Sequence, residues 1–177
     1  MIRLELPHTR FMDTYLETVE EFRQAGSDNP STDHYLKFTP EELRASFQSF
    51  VQKKIDNHNN IQKEGWVQCT EFWIIDDSEG YCGRISLRHR LDENLFRYGG
   101  HIGYDIRPSR RGMSIATQAL GLCLKEAKKI GIDKVLLTCD DDNLASIRVI
   151  EKNGGVLQDR ILNAPGLITR RYWVSLD

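Results

Sequence analysis

Apolar positions along this chain recur at two spacings, and the switches between them predict the order of its elements. Residues 2–6, IRLEL, alternate apolar and polar, the period of a half-buried or edge strand. From 9 to 26 the period lengthens: Phe11, Tyr15, Val19 and Phe22 fall on one helical face, and Gly26 offers the stop. Residues 27–38 are polar and read as a loop. A second helix is predicted over 39–58, with Thr39 as cap, Pro40 in the first turn and Glu42 completing a capping box. Phe47, Val51 and Ile55 continue its apolar face. Strands follow over 67–77 and 80–90 with a turn at Ser78–Gly80, then an extended loop over 92–98, then a third strand over 99–108 that Pro108 ends. The next helix turns Ile115, Ala119, Leu122, Cys123, Ala127 and Ile130 to the core and stops at Gly131. KVLLTCDDD, 134–142, begins nearly all apolar and is predicted to be buried on both faces. A short helix over 143–155 and strands over 156–162 and 168–176 close the chain. The reading is an α/β fold, one domain over 1–177, with a mixed central sheet of about seven strands flanked by about four helices. No repeat, linker or low-complexity segment interrupts it.

Composition adds exclusions. The 177 residues suffice for one sizeable core, and 40% hydrophobic with 28% charged is ordinary globular usage. A formal net charge of −2 supplies no basic field to draw the molecule to nucleic acid. Cys69, Cys82, Cys123 and Cys139 form no C-x-x-C pair and sit in apolar runs, so they are expected to be reduced core residues. No Cys/His cluster has ligand spacing, so no metal is expected. MIRLELPHTRF is too short and too polar for a signal or a membrane span, which makes the cytoplasm the expected compartment.

The stretch IRPSRRGMSIATQALGLCLKEA, 106–127, changes the picture most. A strand runs into Pro108, two arginines, a glycine, small residues and an amphipathic helix. The first amides of a helix have no partner inside it and, with the helix dipole, form an anion site. Gly112, Ser114 and Ala116 would let a phosphate approach the backbone, and Arg110 and Arg111 can add charge-assisted hydrogen bonds. The stretch lacks the G-K-[ST] of a Walker loop and the glycines of G-x-G-x-x-G, which argues against an unrelated nucleotide-binding α/β enzyme. A basic loop solvating a helix start would account for the arginines as well.

Two motifs in order give this stretch a context. Arg111-Gly112-Met113-Ser114-Ile115-Ala116 is similar to the Q/R-x-x-G-x-G/A signature of the GNAT superfamily of N-acetyltransferases. Asn143, Ser146, Lys152 and Gly154 match its following motif, N-x-x-A/S-x-x-x-x-x-K-x-G. The chain resembles that family over nearly its whole length, most strongly over 99–155 and loosely over 1–65. The resemblance implies a GNAT-like fold and acetyl-CoA as donor. Its pyrophosphate would sit on the amides of 111–116, with Thr117 completing the turn. Its pantetheine arm would lie beside Asp105, Ile106 and Arg107, pairing with the backbone of Ile106, and Asn143 and Ser146 would face the same arm. A plain helix cap also accounts for Asn143, and the two roles are compatible. Ser114 stands where the family has its middle glycine. It stays small and adds a hydroxyl, at a cost if the position requires φ > 0.

Acyl transfer needs a neutral amine, although an alkyl ammonium has a pKa of about 10.4, and it needs stabilisation of the oxyanion and the leaving thiolate. The family often carries a base in a run such as A-E-I-G-Y. The equivalent here is GHIGY, which puts His101 in the carboxylate's place. Glu71 is the second candidate base. A hydrogen-bonded strand histidine and a solvated strand glutamate are the plainer readings. Asp140, Asp141 and Asp142 could attract a cationic acceptor or simply solvate a turn, and Arg88-His89-Arg90 could wall the acceptor cleft. The family's tyrosine acid, seven residues after the asparagine, is replaced by Ile150, which leaves Tyr104 as the substitute. The implied activity is direct acetyl transfer to a primary amine on a small molecule, a protein N-terminus or a lysine. A non-catalytic acyl-CoA sensor of the same fold is the alternative. A homodimer could form if closing strand 168–176 paired between subunits.

Overall fold

Strand β1 (Ile2–Glu5) pairs antiparallel with β2 (Cys69–Asp76), β2 with β3 (Gly80–Arg88), and β3 with β4 (Ile102–Ile106), giving the order β1-β2-β3-β4. A second group, β5 (Lys134–Asp140), β7 (Leu167–Ser175) and β6 (Val156–Ala164), is ordered β5-β7-β6, again antiparallel. The helices are α1 (Met12–Ala25), α2 (Asp33–Leu36), α3 (Pro40–Asn59), α4 (Ile115–Lys129) and α5 (Leu144–Lys152). The computed structural model describes residues 1–26, 33–59, 67–164 and 166–176. The fold is the expected α/β one, with seven strands.

The two groups of strands meet at one point. The His101 amide donates to Leu136 O at 2.7 Å, and the Leu136 amide donates to His101 Nδ1 at 2.9 Å. Beyond it, toward Ile106, no ladder joins β4 to β5, and the strands part. Val135, Leu136 and Leu137 are fully buried, as the apolar run at this position predicts.

Strand alternation sends side chains to two different layers. On one face Ile74, Ile85, Leu87, Ile102 and Ile106 pack against Leu120, Cys123 and Ala127 of α4 and against Tyr172 of β7. The other face is aromatic: Trp73 and Tyr81 pack with Tyr15 and Phe22 of α1, Tyr35 of α2 and Phe47 of α3. Cys82 and Cys123 are buried, Cys69 and Cys139 half-buried, and none is paired.

The aromatic layer holds buried charge. Asp105 accepts from Tyr35 Oη at 2.6 Å and from Arg84 Nε at 2.8 Å. Glu71 is held by Lys54 Nζ at 2.9 Å and by Arg84 at 3.3 Å. The two hydroxyls of Tyr35 and Tyr81 lie 2.6 Å apart. Two carboxylates thus face two cations, Arg84 and Lys54. Gly83 permits the close approach of β3 to β4. Its φ is +147°, and a Cβ there would come within 2.2 Å of Asp105 O.

Two departures from the expected elements have local causes. The stretch expected as a loop over 27–38 contains α2, four residues too short to show a helical period. Tyr35 anchors it with 0% of its surface exposed. Residues 27–32 lie outside the described residues. The expected extended loop over 92–98 winds into a single π-turn, Leu95–Gly99, where Asp92 Oδ1 accepts from the Leu95 amide at 2.7 Å. The closing strand β7 is flanked on both edges, by β5 and β6, so it cannot pair between subunits as the sequence suggested.

Tyr35→Phe deletes one of the two hydrogen bonds on the buried Asp105 carboxylate. It is expected to lower the unfolding free energy by about 1–3 kcal/mol. Urea unfolding beside the wild type is the measurement, and an unchanged midpoint would show that α2 does not depend on this bond.

Candidate active site

Strand β4 leaves the sheet at Arg107 and enters a 3₁₀ turn, Pro108–Arg110, before α4 begins. The turn is tied to α1. Glu21 accepts from Arg107 Nε at 2.7 Å and from both the amide and the hydroxyl of Ser109 at 2.9 Å. Arg110 pairs with Glu79. Arg111 Nε donates to Ile106 O at 3.3 Å, and its guanidinium lies 5.6 Å from the Phe22 ring centre.

The backbone then turns left-handed twice within three residues. Gly112 has φ +78°, with nothing within 4 Å of where a Cβ would be. Ser114 has φ 59° and is the one non-glycine residue at positive φ among the described residues. Ser114 O accepts the first helical bond, from the Gln118 amide at 3.1 Å, so the amides ahead of Gln118 have no partner inside the helix. The signature position does require φ > 0, and serine occupies it under strain.

These residues open on a cleft of about 520 Å³. Tyr104, Asp105 and Ile106 of β4 line it, with Arg110 to Gly112, Ser114 to Thr117, and Asn143 and Ser146 at the head of α5. It lies between the end of β4 and the heads of α4 and α5. Phe22, Ala25 and Gly26 at the end of α1 complete it, as do Ala145, Arg148, Val149 and Lys152 of α5. Residues 145, 148, 149 and 152 follow i, i+3, i+4, i+7 spacing, so one face of α5 is turned to the cleft. That spacing was available to find Arg148. Nothing local singles out Phe22, which pairs with the cleft only through tertiary packing. Arg110, Arg111, Arg148 and Lys152 make the rim cationic, while the lone lining carboxylate, Asp105, turns its charge to Arg84 and Tyr35.

Asn143 caps α5, with Oδ1 accepting from the Ser146 amide at 3.0 Å. Among the described residues its Nδ2 donates to none. The Tyr104 hydroxyl is buried without a hydrogen bond. Burial pushes its pKa up to about 12, with Ser146 pulling the other way.

Several expected residues do not reach the cleft. Arg107 turns to α1, and its amide is spent on Cys82 O at 2.8 Å. Met113 points outward and lines a separate, smaller cavity near Met1 and Asp76. Glu71 lies in the aromatic layer. Burial alone would raise its carboxyl, but Lys54 and Arg84 outweigh it and hold the pKa below the usual range, so it is a poor base. Asp141 is bound to Arg170 at 2.6 Å and Arg160 at 3.3 Å, and Asp140 and Asp142 do not line the cleft. Ile150 is buried in the core, with Cγ2 only 2.4 Å from where a Cβ on Gly155 would lie, so a tyrosine there would meet packed backbone. Among the described residues no cluster of three or more His, Cys, Asp or Glu could hold a metal ion.

His101 projects to the face opposite the cleft, since strand alternation groups it with Gly103 and Asp105 and separates it from Tyr104. Its Nδ1 lone pair accepts the Leu136 amide, which in the neutral ring assigns the proton to Nε2. Burial lowers its pKa, and the charge of Arg88 lowers it further. The ring is therefore a neutral donor, and the lone pair a base would use is occupied.

The chain matches the acetyltransferase (GNAT) domain family over residues 13–156. Among solved structures, the Salmonella typhimurium acetyltransferase that modifies the N-terminal serine of 50S ribosomal subunit protein L7/L12 superposes with a TM-score of 0.66 at 20% identity, covering 99% of this chain and 95% of that one. Mycobacterium smegmatis RimJ in complex with CoA-disulfide gives 0.70 at 15% identity, covering 98% of this chain and 81% of that one. The microcin C7 self-immunity acetyltransferase MccE, in complex with acetyl-CoA and AMP, gives 0.64 at 16% identity, covering 99% and 92%. At these identities the likeness is one of fold. No curated protein sequence matches significantly.

Two outcomes follow from the site's geometry. A non-glycine residue in the left-handed region costs about 1–2 kcal/mol, and glycine gives part of that back through the unfolded chain. Ser114→Gly should therefore raise stability by up to about 1 kcal/mol in urea unfolding, and a less stable variant would show that the hydroxyl compensates the strain. His101 has its folded pKa depressed below an unfolded value of about 6.5. The stability it contributes is present above that value and is lost as pH falls through the folded pKa. His101→Gln should flatten the acid side of the stability–pH curve, and an unchanged curve would place the titration elsewhere.

Proposed function

The chain belongs to the GNAT acetyltransferase family, and we propose that it binds acetyl-CoA in the cleft at the head of α4 and passes the acetyl group directly to a primary amine. The observation that carries this reading is the cleft's charge and donor set. Unpartnered helix amides, the open backbone at Gly112, and Arg111, Arg148 and Lys152 suit a pyrophosphate. The strands part where a pantetheine arm would run. The buried, unpaired Tyr104 hydroxyl and the free Nδ2 of Asn143 are donors that such an arm would satisfy.

In the transfer the amine nitrogen attacks the thioester carbon, the C–S bond breaks, and the thiolate leaves. A thiolate whose conjugate thiol has a pKa of about 8.5 does not take a proton from a phenol raised to about 12, so Tyr104 stabilises the thiolate by a hydrogen bond and keeps its proton. That answers the loss of the family's tyrosine at Ile150. No described residue lining the cleft has a free lone pair suited to deprotonating the ammonium. Glu71 is ion-paired and His101 is a donor. The amine therefore enters neutral, and water takes its proton. The same lack of a base favours a second reading, a binder that transfers nothing, which thiol release from acetyl-CoA in the presence of amines decides.

Arg111→Glu and Gly112→Val should each weaken CoA binding about tenfold or more, or at least ~1.4 kcal/mol, by calorimetry on folded protein. Wild-type affinity in both would sink the assignment of this turn. With an amine acceptor, kcat/KM should rise about tenfold per pH unit up to the pKa of the amine itself. An added inflection below the ordinary histidine value of about 6.5 that disappears in His101→Gln would return the role of base to that ring.

A further inference from the structure

We infer that the amine acceptor carries a carboxylate, and that Arg88 reads it on the face of β4 opposite the acyl-donor cleft. This rests on the transfer reading above and specifies its acceptor.

Arg84 and Arg88 project from the same face of β3, and their surroundings differ. Arg84 has Asp105 at 2.8 Å and Glu71 at 3.3 Å. Arg88 is half-buried too, yet no carboxylate of the described residues lies within ion-pair distance. Its NH1 donates to Gly99 O and Gly100 O, both at 3.0 Å, and these neutral carbonyls are its only hydrogen-bond partners among the described residues. The guanidinium lies over β4 where the chain has no side chain. A Cβ on Gly103 would be 3.8 Å from NH2, 3.9 Å from NH1 and 3.6 Å from Ser86 Oγ. NH2 and Nε are left to donate.

The titratable and charged groups around Arg88 are Cys69, Arg84, His101 and, further off, Asp92. Asp92 spends one oxygen on the Leu95 amide. The Nε2–H of His101 adds a donor and no acceptor. A partly desolvated cation beside a second donor, with no anion in reach, is matched by an anion brought from outside. The position is the right one for an acceptor. Among the described residues the backbones of β4 and β5 are bonded only at His101–Leu136, and toward Ile106 no ladder closes the sheet between the cleft and this face. An amine there with its carboxylate on Arg88 would meet the thioester from the side opposite α4. A polycationic acceptor would meet the uncompensated charge of Arg88 instead and be repelled.

The test compares amines that differ only in the anion. Aspartate and acidic N-terminal peptides are run against their carboxamides, with phosphoethanolamine and a polyamine beside them, by thiol release from acetyl-CoA. The carboxylates should be preferred about tenfold or more in kcat/KM, mainly through KM. Arg88→Met should remove the preference while CoA affinity is unchanged by calorimetry. Because Arg88 also ties Gly99 and Gly100, Gly103→Asp is the second variant. It sets a carboxylate beside the guanidinium, keeps those ties, and should remove the preference as well. Equal rates for acids and amides in the wild type, a preference that survives both variants, or a preference for phosphoethanolamine would each overturn the inference. If no amine releases thiol, the transfer reading fails. Calorimetry of N-acetylaspartate against the CoA-loaded wild type and Arg88→Met then decides the carboxylate site by itself, with equal binding or no binding counting against it.

Discussion

A carboxylate removed from water must be matched, and at Asp105 that requirement organises the molecule. Arg84 of β3 and Tyr35 of α2 supply the match, at 2.8 and 2.6 Å. Satisfying Asp105 locks the side-chain phase of β4. Asp105 and Gly103 face the aromatic layer, so Tyr104 and Ile106 must face the cleft. It also ties α2, which has only four residues, to the sheet. Burial pushes the Asp105 carboxyl upward against Arg84 and Tyr35, and the group serves position rather than proton transfer.

The second constraint is the change of direction between β4 and α4. A strand ending in Arg107 and a helix starting at Ile115 are connected through two left-handed residues, with Glu21 of α1 gripping Arg107 and Ser109. The amides of the first turn of α4 are thereby left beside a rim of cations. Strain at Ser114 is stored at the functional turn and offset by the surrounding packing, a common arrangement where a backbone must present its donors to a ligand. On the other face, the absence of a side chain at Gly103 makes room for the guanidinium of Arg88. One strand thus separates a donor-lined cleft from a second face that carries Arg88.

Much of this was legible in the chain. Periodicity located all seven strands and the four longer helices, since each is long enough to show a period of 2 or 3.6. The turn over 110–117 was legible because glycine, small residues and arginine at a strand–helix junction have few other physical uses. The asparagine cap of α5 was legible for a similar reason: side chains that bond their own backbone leave a local mark. Arg88 was marked only as part of a charged run, and the roles of Tyr35 and Phe22 left no mark. Tyr35 and Phe22 act through residues distant in sequence, in Tyr35's case Asp105, and no window of the chain contains both partners.

Sequence alone determined the order of elements, the family resemblance and the sharp, small-residue turn that opens α4, because these depend on neighbours within one or two turns of chain. It could not say on which face of β4 His101 would lie, nor that the Leu136 amide would occupy Nδ1. It also could not say that Glu71 would be bound by Lys54 and Arg84, or that Ile150 would point into the core. Those outcomes depend on the register between strands far apart in sequence, where a shift of one residue exchanges the two faces of a strand. Tertiary structure therefore decided which polar residues are spent on holding the fold and which are left free to meet a substrate. A side chain's hydrogen-bonding capacity is fixed by its chemistry, but what consumes it is fixed by whatever packing brings within 3 Å.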